Sequence, residues 1–107
     1  MTGAFKTIEW NLGFSIGEVT EGLETSLNRA GYVYRRTEAD DEARFQIALS
    51  SGSLRLVVQS LPPHDSPFGS HVSFSRTRLV MIFAGASAEE EAASLRLLTL
   101  TFLRAGG

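Results

Sequence analysis

The amino-acid sequence predicts an α+β domain in which two helices pack on one face of a single antiparallel sheet, in the order β-α-β-β-β-β-α. Three observations predict it. Apolar and polar residues alternate with period two in several separate segments. Two capping-box signatures each open a stretch with apolar residues at helical spacing. Finally, 107 residues, 43% of them hydrophobic and 21% charged, suit one folded domain spanning 1–107 with its own core.

Residues 4–14 alternate, with Ile8, Trp10, Leu12 and Phe14 on one side and Thr7, Glu9 and Asn11 on the other, as a half-buried strand does. Ser15-Ile16-Gly17-Glu18 supplies a hydroxyl and a carboxylate for the first free amides of a helix. Ile16, Val19, Leu23, Leu27 and Ala30 then form one narrow apolar stripe, and Gly31 follows at the position where a helix ends left-handed. Tyr32 to Thr37 reads as the second strand and Glu38 to Glu42 as an acidic turn. In the third strand Ala43, Phe45, Ile47 and Leu49 alternate with Arg44, Gln46 and Ser50. Ser51-Gly52 is a hairpin turn signal, and Leu54, Leu56 and Val58 alternate with Arg55 and Gln59 in the fourth strand. The stretch from Pro62 to Ser70, with three prolines and a glycine, reads as a loop.

Residues 71–84 read as one strand rather than a hairpin, because Arg76-Thr77 lacks turn chemistry. Its second half is apolar at both parities. Val80 and Ile82 are placed toward the helices, and Leu79, Met81 and Phe83 away from them with Val57. Ser87-Ala88-Glu89-Glu90 opens a second helix that runs to about Ala105. Ala92, Leu95, Leu98, Phe102 and Leu103 form its core stripe, and Ala93, Leu97 and Leu100 fall nearly opposite. The element order is shared with the TATA-binding-protein-like architecture, an agreement of topology that fixes no function.

Composition excludes several function classes. There is no cysteine, hence no disulfide, thiolate metal site or thiol catalysis. The first twenty residues hold no continuous apolar stretch, and the longest apolar run, Leu79 to Ala84, is far short of a span. These features fit a cytoplasmic protein with no membrane partner. A formal net charge of −2 gives no global attraction for polyanions, so any such binding needs a local patch.

Four constellations bear on chemistry. His64, Asp65 and His71 could ligate a metal or, with Ser66 and Ser70, serve a small-ligand enzyme. Their spacing matches no specific site type, and a solvated polar connection is the more economical reading. Gly13 to Gly17 joins strand to helix where a phosphate could meet free amides, but Glu18 and Glu21 oppose an anion there. Arg35, Arg36, Arg44, Arg55, Arg76 and Arg78 fall in the strands, with no acid between Ala43 and Pro63, whereas the helices carry six glutamates. Among them Arg44, Arg55, Arg76 and Arg78 form the candidate polyanion-binding set on the open sheet face. Last, Met81, Phe83, Leu97 and Leu100 are surplus to a monomer's core and suggest an oligomer interface. No cofactor is implied. Taken together, the sequence points first to a non-catalytic interaction module forming a homodimer. Binding of nucleic acid or another acidic macromolecule by the arginine face is the second reading, and the histidine-loop enzyme the third.

Overall fold

In the computed structural model, which describes residues 5–65 and 73–103, the elements follow the expected order. They are β1 (Phe5–Leu12), α1 (Ile16–Ala30), β2 (Tyr34–Ala39), β3 (Glu42–Ala48), β4 (Ser53–Asp65), β5 (Ser73–Ala84) and α2 (Ala88–Phe102). The strands form one sheet in the order β1-β5-β4-β3-β2, every neighbouring pair antiparallel. The chain thus lays β2, β3, β4 and β5 down as successive hairpins, and β1 closes the far edge beside β5.

Both helices cover the same face. Val19, Leu23 and Leu27 of α1 and Leu98 and Phe102 of α2 are buried together with Phe45, Ile47, Leu56, Val58, Leu79, Met81 and Phe83 of the sheet. Burying side chains of this size is worth about 1.5–3 kcal/mol each. The first helix starts and ends as its sequence predicts. Ser15 Oγ accepts from the Glu18 amide, Glu18 Oε1 accepts from the Ser15 amide, and Gly31 at φ 81° lets the Gly31 and Tyr32 amides close the last turn. Phe14, just before this helix, packs against Phe102 with ring centroids 6.2 Å apart.

The start of α2 is tied to the sheet as well as capped. Its Ser87–Glu90 capping box forms, and the Glu90 carboxylate also accepts from the Ser50 and Ser51 amides and the Ser51 hydroxyl of the β3–β4 turn. These donors, the Ser51 hydroxyl foremost, hold the Glu90 carboxyl below its ordinary 4.5.

Several expectations are corrected. The β2–β3 hairpin turns on Asp40 and Asp41 alone, since Glu38 pairs with Ala43 in the ladder and Glu42 already belongs to β3. The strand β4 runs through Pro62 and Pro63 to Asp65 instead of ending in a loop at Pro62. A register shift between Leu61 and His64 leaves both prolines out of the pairing, and β3 no longer flanks β4 there, so their missing N–H groups cost nothing. Residues 66–72 and 104–107 lie outside the described ones, and with them the rest of the expected loop and the expected last residues of the second helix. Within α2, Ala92 and Leu103 are exposed rather than core-facing, Ser94 is buried, and Leu97 packs partly against the core.

The largest correction is the parity of β5. Met81 pairs with Leu56 on one side and Ile8 on the other, which puts Leu79, Met81 and Phe83 on the helix face, at most 1% exposed. Val80 and Ile82 face the open side with Val57. Met81 and Phe83 therefore belong to the core and offer no surface to a second copy.

Candidate anion-binding face

The uncovered face of the sheet can be laid out row by row from the strand register. One row across β2, β3, β4, β5 and β1 reads Ala39, Glu42, Gln59, Arg78, Asn11; the next reads Thr37, Arg44, Val57, Val80, Glu9; the third reads Arg35, Gln46, Arg55, Ile82, Thr7. Beyond the first row, Arg76 pairs with Leu61 where β4 and β5 continue as a two-stranded ribbon. All four arginines singled out from the sequence thus share one face, joined by Arg35. The sixth strand arginine does not. Arg36 alternates onto the helix side, where it pairs with Glu24 and Glu38 and lies over the Phe45 ring at 5.8 Å.

Two carboxylates interrupt this face. Glu42 takes the Arg44 Nε and, at 3.0 Å, the Gln59 amide, and these donors, Gln59 first, hold its carboxyl below the ordinary 4.5. Glu9 Oε2 stands 3.2 Å from Arg78 Nε without hydrogen-bond alignment, while Arg78 Nη1 donates to Gln59 at 3.5 Å. Arg55 donates to Gln46 at 3.2 Å. No carboxylate lies within ion-pair distance of Arg35 or Arg55 among the described residues. Among the described residues, five guanidinium groups against two carboxylates leave the face at +3, on a chain of net charge −2.

Its centre is apolar. Val57 and Val80 are directly paired, Ile82 sits one row on, and all three are half-buried although no described element covers them. Phe5, 74% exposed, stands at the β1 corner. Sequence reasoning missed this centre by assigning Val80 and Ile82 to the core, yet the signal was present. Arg76 and Arg78 share parity with them, so arginines placed outward carry the two apolar side chains outward too.

The other candidates are not assembled into a site. His64 and Asp65 end β4 opposite Phe74 and Ser73, and His71 lies outside the described residues. Among the described residues no group of three or more histidine, aspartate or glutamate side chains could hold a metal. At the Gly13–Gly17 connection the Ser15 and Glu18 amides are already taken by the capping box. Leu97 and Leu100 line a groove between α1 and α2, Leu100 being 51% exposed. No described helix is long and apolar enough to cross a membrane. No protein-family model matches the chain, and no curated protein matches it in sequence.

Proposed function

We propose that this domain is a non-catalytic binding module that holds nucleic acid on the open face of its sheet. The reading rests on one observation: Arg35, Arg44, Arg55, Arg76 and Arg78 project from the face neither helix covers, across β2 to β5, against Glu9 and Glu42 alone among the described residues. Guanidinium groups match phosphate oxygens two at a time, and release of counterions from a phosphate backbone drives such contacts. The arginines are spread over the face rather than clustered round a cleft, which suits a polymer carrying charge at every residue. Among the residues whose side chains are described, Phe5 at one corner is the one exposed aromatic on this face on which a single-stranded base would stack. The predicted ligand is therefore a duplex contacted through its backbone, without base readout.

Fluorescence-anisotropy titration of a labelled duplex across a salt series tests this. Binding at low salt should weaken with a log–log slope no steeper than about −4.5 for five phosphate contacts. Arg55→Glu should abolish it at moderate salt. Glu42→Gln, which releases Arg44, should tighten it. Binding of polyglutamate but not duplex would reassign the face to an acidic protein, and no binding of either would end the proposal.

A further inference from the structure

On the opposite side of the molecule α1 and α2 leave between them a groove of about 690 Å³, lined in part by Glu21, Thr25, Arg29, Leu97 and Leu100. Glu21, Thr25 and Arg29 are all exposed, four residues apart along α1, and so form one ridge of the helix. That ridge is acidic at one end, small and neutral in the middle and basic at the other. Glu21 and Arg29 are separated by about 12 Å of helical rise and cannot meet within one copy. Neither has an ion-pair partner among the described residues. Beside them Leu100 is exposed and Leu97 only half covered.

We infer that this groove is the interface of a two-fold homodimer, filled by α1 of a second copy. The argument is charge complementarity under symmetry. Thr25 lies midway between Glu21 and Arg29, so two antiparallel ridges crossing at Thr25 set each Glu21 against the other copy's Arg29. Two ion pairs form from one pair of residues, with Thr25 small enough to allow close approach at the axis. Leu97 and Leu100 gain cover from the incoming helix. The open sheet faces cannot pair this way, since each is cationic. This inference stands apart from the ligand assigned to the sheet, because it uses only residues on the helix layer.

Sedimentation velocity over the micromolar range, on wild type and three variants, tests it. Wild type should sediment at twice the chain mass of 11.6 kDa. Glu21→Arg and Arg29→Glu each place like charges opposite one another twice and should weaken the dimer tenfold or more. The double variant E21R/R29E restores opposite charges and should recover wild-type association. Both side chains are exposed, so far-UV circular dichroism should be unchanged in all three. A wild-type monomer, single reversals without effect, or a double variant as weak as the singles would each overturn the interface.

Discussion

At the scale of single residues, Gly52 is held by geometry rather than by hydrophobicity. A Cβ on Gly52 would come within 2.2 Å of the Ala84 carbonyl oxygen and 2.4 Å of the Gly85 carbonyl carbon. Both are backbone atoms, at the end of β5 and the start of its connection to α2, so no side-chain rotation relieves the clash. Gly52→Ala should therefore cost about 2–3 kcal/mol in urea unfolding, at the upper end of overpacking penalties. A neutral result would mean that the two connections are not in contact. The Ser94 hydroxyl presents the opposite case: the residue is 3% exposed and its Oγ has no hydrogen-bond partner among the described residues. It faces Leu27, Ile47, Leu54 and Leu56 across a cavity of about 10 Å³. Ser94→Ala removes an unsatisfied polar atom and favours the helix, so it should stabilise the fold by about 1 kcal/mol, read as a higher unfolding midpoint.

Between elements, the connection that matters most is the one Glu90 makes. Glu18 and Glu90 occupy the same place in their capping boxes, but only Glu90 also receives amides from a neighbouring hairpin. Glu90→Ala should thus destabilise more than Glu18→Ala, and equal effects would show that the hairpin contact carries no energy. The sign of the acid response follows from the same contact. Glu90 and Glu42 both have folded carboxyl values below 4.5, so their stabilisation is present above that pH and lost as pH falls through the folded value. The Glu90→Ala variant should show a flatter loss of stability below about pH 4.5 than wild type. Elements with one polar face were readable from the sequence for a physical reason: α1 and β3 each leave only one way to hide their apolar side chains. The strand β5 and the helix α2 are apolar on more than one side, and hydrophobicity alone cannot choose a face for them. In β5 the arginines Arg76 and Arg78 take the open face, and Thr77 between them turns inward, buried and donating to the Phe14 carbonyl at 2.6 Å, a contact that depends on tertiary structure. The prolines of β4 misled for a related reason, because their tolerance depends on which partner strand has already ended. The candidate face was legible in the shared parity of its arginines, and the same parity carries Val80 and Ile82 outward, a consequence hidden by the apolar run that occupies both sides of β5.

For the whole molecule, the two layers divide the charge. The helix layer carries Glu18, Glu21, Glu24, Glu89, Glu90 and Glu91, and the sheet presents five of its six arginines outward. A homodimer built through the helix layers buries part of the acidic side at its centre and turns both cationic faces away from each other, roughly 30–40 Å apart across four layers. If both proposals hold, such a particle would have a property that neither face has alone, that of holding two separate duplexes at once. With donor- and acceptor-labelled short duplexes mixed at low salt, wild-type protein should produce energy transfer that rises and then falls as protein is added in excess, because surplus dimer separates the two labels. Glu21→Arg adds positive charge and Arg29→Glu removes it, so their effects on simple duplex binding should run in opposite directions. If bridging depends on the dimer, both nevertheless lose the transfer signal, and E21R/R29E regains it with the net charge unchanged. Transfer that tracked net charge instead, strong in Glu21→Arg and weak in Arg29→Glu, would show the bridging to be non-specific condensation by a basic surface.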